Sequence, residues 1–122
     1  CVLSATAGSW VVSLDDPEGK CDSEPSANSD PRIIAVHDAA DGNGLAAVEG
    51  TRVDLTTAAT SITFNAFGRP SDATQLGAIA VTSSISAADH RAYRVDVNPI
   101  GGVRMCDTRI DTTSQDPRRC PA

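Results

Sequence analysis

The cysteines sit at the two ends of the chain, Cys1 and Cys21 near the start and Cys106 and Cys120 near the finish, and this placement constrains the fold more than any other feature. An even cysteine count in a short chain implies a disulfide framework made in an oxidising compartment, although four thiols allow three connectivities and sequence alone does not choose among them. Sequential pairing is the simplest expectation, with Cys1–Cys21 enclosing the only tryptophan, Trp10, and Cys106–Cys120 closing the tail onto a strand-like run. Each short loop closed in this way restricts the unfolded chain by about 3 kcal/mol in the chain-entropy picture. That term matters, because Trp10, Phe64, Phe67 and Tyr93 are the only aromatic residues among 122. A four-cysteine zinc site is the competing reading, but the CxxC knuckles that such sites use are absent.

A chain of this length is expected to form a single domain spanning 1–122, with residues 103–122 as a disulfide-closed strand and tail. Its apolar residues are mostly Ala, Val and Ile in short runs bounded by Gly, Pro, Asn and Asp, which predicts a loop-rich antiparallel β protein. Strands are predicted at residues 9–14, 32–37, 45–48, 51–55, 61–67, 78–82, 92–97 and 103–106. Residues 1–3 are expected to form an N-terminal hairpin with 9–14, and 22–30 an exposed polar loop. Alternation places Ile62, Phe64 and Ala66 on one side of their strand. It likewise places Tyr93, Val95 and Val97 inward, with Arg94 and Asp96 pointing out. Most of the aromatics thus fall at inward positions. No stretch carries a helix-length apolar period, and no run approaches the roughly 20 apolar residues of a membrane span. A disulfide-bearing chain without an export signal, beginning on a cysteine in mid-strand, reads as one whose N-terminal segment has been removed.

The net charge of −6 conceals an asymmetry. Residues 1–88 carry four basic and eleven acidic side chains, whereas residues 89–122 carry six arginines and five aspartates. Long-range attraction of nucleic acid would therefore have to come from the arginine-bearing end alone. The plainer reading is a solvated arginine set paired with neighbouring aspartates. Catalytic readings find little support. His37 and His90 lack a Gly-x-Ser-x-Gly partner, and Asp15 and Asp16 lie in a Pro-Gly turn. Asp38, Asp41 and Asn43 lack the spacing and terminal glutamate of a calcium loop. No cofactor, metal or small-molecule substrate is expected, and the thin aromatic content argues against a carbohydrate-binding module.

Several pieces in order resemble one family. They are a cysteine-ended strand, Trp10-Val-Val-Ser-Leu-Asp15, Ile62-Thr-Phe-Asn-Ala-Phe-Gly-Arg-Pro70, Arg94-Val-Asp-Val-Asn-Pro-Ile-Gly-Gly-Val-Arg-Met-Cys-Asp107 and Asp116-Pro-Arg-Arg-Cys120. Together they are similar to the globular part of a GspH/FimT-type minor pilin, nearest to the FimU and FimT subunits of type IV pili. The resemblance covers nearly the whole chain, and its most specific part is the Gly-x-Val-Arg-x-Cys strand with a second cysteine just before the end.

The resemblance implies two small antiparallel sheets and an N-terminal helix, absent from this chain, that anchors the subunit in the inner membrane and later packs in the fibre. It also implies that one apolar face of the domain lacks its cover. The function implied is structural: helping to initiate pilus assembly with other minor pilins and the major pilin, at or near the fibre tip. The globular domain would be periplasmic before assembly and extracellular after it. A type II secretion pseudopilin is the nearest rival. In the FimT branch a Gly-Arg-x-Arg motif carries DNA uptake. The matching positions here read Gly101-Gly102-Val103-Arg104, so the first arginine is missing. Arg104, Arg109, Arg118 and Arg119 remain as candidate nucleic-acid contacts, interleaved with Asp107, Asp111 and Asp116.

Overall fold

Short runs rich in apolar residues become strands where turn-forming residues bound them, and six do so in the computed structural model, which describes residues 8–41, 45–85 and 90–121. Strands β1 (Trp10–Ser13) and β2 (Ile33–His37) pair antiparallel as a two-stranded sheet. Strands β3 (Ala46–Thr51), β4 (Ala78–Ser83), β5 (Tyr93–Val97) and β6 (Val103–Asp107) form a second antiparallel sheet in the order β3-β4-β5-β6. The only helical piece among the described residues is a single 3-10 turn, Ala39–Asp41. The protein is mainly β, with two antiparallel sheets.

In the small sheet, Trp10 lies opposite His37 and their rings stack with centroids 5.6 Å apart. A register shift between Val12 and Ser13 leaves Ile34 as an extra residue on β2, which turns Ile33 into the interior while Ile34 stays exposed. Beyond the shift the strands are clasped by Arg32, whose Nε and Nη2 donate to the two carboxylate oxygens of Asp15 at 2.8 Å each. The expected hairpin between 1–3 and β1 lies outside the described residues. Cys21 is buried and disulfide-bonded, and its expected partner Cys1 also lies outside them.

Pairing fixes the two faces of the large sheet, because directly opposed residues share a face. Val48, Ile79, Val81, Tyr93, Val95 and Val97 lie on one face, continued across β6 by Val103 and Met105. The other face carries Ala78, Ala80, Arg94, Asp96, Arg104 and Cys106. The interior is sparse: Cys21, Ile33, Ala78, Cys106 and Cys120 are its buried apolar residues among those described.

Two expected strands are not formed. Residues 51–55 contribute only Thr51 to β3, because the Asp54 carboxylate accepts hydrogen bonds from the Thr56 and Thr57 amides and the Thr57 hydroxyl and bends the chain into a turn. Residues 61–67 keep one isolated bridge, Phe64 to Pro70. There Asn65 Oδ1 captures the amides of Phe67 and Arg69 and closes a hairpin loop, and the pairing ends where the Thr63 amide donates to the Gln75 side chain instead of to the opposite strand. The aromatics are consequently not inward: Trp10, Phe64 and Phe67 are all exposed.

Candidate assembly surface

The disulfide Cys106–Cys120 joins β6 to the tail across a sequence separation of 14, as the cysteine spacing led us to expect. Its consequence for the sheet differs from expectation. Arg94 and Asp96, placed outward by alternation, are covered by that tail, and their side chains are only 15% and 20% exposed. Arg94 Nε bonds Asp96 Oδ1 at 2.6 Å, and its Nη2 donates both to Asp96 Oδ2 at 3.1 Å and to the Pro121 carbonyl at 2.8 Å. Arg104 Nη2 donates to the carbonyls of Pro117 at 2.6 Å and Arg119 at 2.9 Å. Backbone carbonyls left without ladder partners thus receive charged donors, the stronger class of hydrogen bond. The Asp107 amide donates to Arg118 O, completing the seal.

The apolar face is partly covered: at one end Leu76 Cδ1 and the Ala59 carbonyl oxygen fill the space that a side chain at Gly50 would take. Its central residues are half-buried, and at the β6 edge Val103 and Met105 are 64% and 66% exposed. Contiguous apolar surface of this kind marks an interaction site more often than an ordinary solvated surface. Gly8, at the start of the described chain, lies against this face: a Cβ added there would meet Val48 Cγ2 at 3.3 Å.

The candidate nucleic-acid arginines are largely engaged. Arg104 holds the tail, and Arg118 forks onto Asp116 through Nε at 3.1 Å and Nη2 at 2.7 Å. The Arg118 side-chain bond is the main reason that the Asp116 carboxyl is lowered to about 2. Arg109 Nη1 reaches the His90 carbonyl at 3.4 Å, at the far end of β6. Arg119 packs its backbone beside Asp107 and leaves its guanidinium without a bond among the described residues. A fifth arginine, Arg91, pairs at 3.3 Å with Asp107, whose side chain is only 7% exposed. Tail and strand therefore bring Arg104, Arg118 and Arg119 together and leave Arg109 apart.

Among the described residues no catalytic grouping assembles around the histidines. His37 stacks on Trp10 in the small sheet, and Arg109 donates to the His90 backbone beside the large one. Among the described residues no group of three or more His, Cys, Asp or Glu side chains is placed to hold a metal ion. Asp38 Oδ1 accepts the Ala40 amide, and Asn43 lies outside the described residues.

Sequence reasoning missed one feature of this surface. Residues 65–69 and 98–102 form the same turn twice. In each, the asparagine amide donates to the carbonyl four residues on, at 2.8 and 2.9 Å, and its carbonyl accepts the glycine amide at 2.9 Å. Asn65 Oδ1 accepts Phe67 N and Arg69 N, just as Asn98 Oδ1 accepts Ile100 N and Gly102 N. Gly68 and Gly101 take positive φ of 73° and 89°, the left-handed residue that a three-residue hairpin loop requires. The readable signal was Asn-x-apolar-Gly, present at 65–68 and again at 98–101.

The described residues form a disulfide-stapled β module whose tail covers part of one sheet face and whose apolar face exposes Val103 and Met105. Residues 1–101 match the family described as type II transport protein GspH, and this chain belongs to that family. The family comprises structural, non-enzymatic pseudopilins and minor pilins of type II secretion or type IV pilus systems, envelope-associated proteins that contact other such subunits in a pilus-like assembly. No curated protein and no solved structure matches the chain. Among the described residues no helix is long and apolar enough to cross a membrane.

Proposed function

We propose that this protein is a minor pilin of a type IV pilus, which helps to start assembly and sits at or near the fibre tip among other minor pilins above the major pilin. The observation that carries the reading is the incompletely covered apolar face of the four-stranded sheet, whose Val103 and Met105 are exposed at the β6 edge. In this reading an upstream apolar helix, continuous with the chain that reaches Gly8, anchors the subunit in the inner membrane and lays its lower half on that face. The domain then stands in the periplasm before assembly and outside the cell after it. The cysteine-closed tail favours the pilus branch, while the family description, a type II transport protein, favours the reading as a secretion pseudopilin. Deleting the gene separates the two: loss of surface fibres with normal exoprotein secretion supports the pilus, and the opposite result assigns the secretion machine. Joining the upstream helix segment to residues 1–122 tests the face itself. An unchanged melting temperature in detergent would count against the reading. Uptake of DNA through Arg104, Arg109, Arg118 and Arg119 is a weaker proposal, since three of the four already hold backbone carbonyls or a carboxylate. A gel shift at low salt that is absent for this domain would remove it.

A further inference from the structure

Turn tips ordinarily carry small or polar residues, because the residue at the apex gains nothing by being apolar. Both copies of the repeated turn break this rule at the same position. Phe67 and Ile100 are the two most exposed large apolar side chains among the described residues, at 88% and 72%. The turns touch: a Cβ built at Gly101 would run into the Gly68 carbonyl oxygen, so the two tips belong to one structure. Each tip is held by two side-chain bonds and two backbone bonds of its own loop. Such preorganisation removes much of the ordering penalty that a flexible contact would bring to binding. Arg69, next to this pair and exposed, takes part in none of the ion pairs among the described residues.

We infer that Phe67 and Ile100 form an anchor that seats this domain in a neighbouring subunit of the assembly, in an apolar pocket with an acidic rim that receives Arg69. This rests on the reading of the chain as an assembly subunit and adds the place and chemistry of one contact. The turns lie at the end of β5 and β6, beyond Val97 and Val103, so they stay accessible when a helix covers the open face. A rigid aromatic beside an arginine is the composition of interface hot spots. The net charge of −6 disfavours an anionic lipid surface as the occupant, and a single phenylalanine with one isoleucine gives only marginal membrane affinity.

The test uses a strain lacking the gene, complemented with the full-length protein as wild type, as the Phe67→Ser/Ile100→Ser double variant, and as Arg69→Glu. Wild type restores assembly, and both variants fail to do so while accumulating normally. The purified variant domains melt within a few degrees of wild type, because the altered side chains touch little of their own fold. Isothermal titration with purified periplasmic domains of the other subunits shows one partner, and its Kd rises about 30-fold or more for the double variant. Arg69→Glu weakens that complex more than Arg69→Ala, since it sets like charges against each other. A double variant that restores assembly as wild type does overturns the anchor and leaves the assembly reading standing. Failure of wild type to restore anything removes the assembly reading and the anchor with it. A Phe67-dependent dimer of this domain in sedimentation, with no other partner, overturns the assignment to a different subunit.

Discussion

Replacing Cys106 and Cys120 with serine together removes the covalent link that holds the tail over the charged face of the sheet. The sequence separation of 14 is close to the 15-residue loop for which the chain-entropy model gives about 3 kcal/mol. Tail docking itself rests on the bonds from Arg104 and Arg94 and the Asp107 to Arg118 backbone bond, each worth on the order of 1 kcal/mol net and each dependent on the tail being near. Without the link those bonds must repay the ordering of the tail residues, at roughly 1–2 kcal/mol per residue, and they cannot. The tail therefore frays, and the Arg94–Asp96 pair passes from a largely covered site to water. Equilibrium unfolding in urea is expected to show a loss of about 3 kcal/mol, a large part of the 5–15 kcal/mol typical of a domain. The melting temperature falls by about 12 °C at roughly 4 °C per kcal/mol. In the double variant, hydrogen exchange at the Asp107 amide loses its protection while β4 keeps its own. A loss below about 1 kcal/mol, with the Asp107 amide still protected, would refute the claim that the link holds the tail.

Three further outcomes follow from the geometry. Met105→Glu on the open face changes the stability of the isolated domain by less than about 0.5 kcal/mol in denaturant titration, as expected for an exposed position, yet abolishes assembly in complementation. Asp116→Asn shows a pH-dependent effect: the carboxyl lies at about 2, below its ordinary value, so its contribution is complete above about pH 4 and is lost as the pH falls through about 2. The melting difference from wild type is accordingly present at pH 6, shrinks below about pH 4 and vanishes only below about pH 2. Asp107→Ala takes the buried acceptor from the Arg109 amide and from Arg91, and costs about 1–2 kcal/mol in urea unfolding.

Five of the eight expected strands appear within a residue or two of their expected bounds. Residues 45–48 and Thr51 merge into one strand, β3, through Gly50. Residues 51–55 and 61–67 show why pattern reading stops there. In 51–55 Asp54 offers the backbone a local acceptor, and a local hydrogen bond forms without waiting for a distant strand, while in 61–67 the Gln75 side chain takes the Thr63 amide that a longer ladder would need. The tail disulfide was legible from spacing. The identity of the outer face of β5 was not, because alternation reports that Arg94 and Asp96 share a side but carries no information about what a covalently tethered segment will lay over it. The anchor turns were legible in principle from the repeated Asn-x-apolar-Gly, although each half of the repeat reads alone as an ordinary loop.

The division of labour between the two sheet faces explains how a domain with so little interior holds together while leaving apolar surface for others. A four-stranded sheet normally buries one face and solvates the other. Here the face rich in Val, Ile and Tyr is covered only in part and exposes Val103 and Met105, while the tail lies over the β5–β6 half of the face that bears two arginines and an aspartate. The sealed face needs no large apolar residues, because charged donors and tail carbonyls satisfy each other under a covalent clamp. The hydrophobic residues are thereby released from internal duty. The family match ends at residue 101, so β6 and the clamped tail lie beyond the matched part of the chain. Stability supplied from that tail lets the matched part keep its apolar face for contact, and a chain that depends on its neighbours for burial gains a thermodynamic reason to assemble.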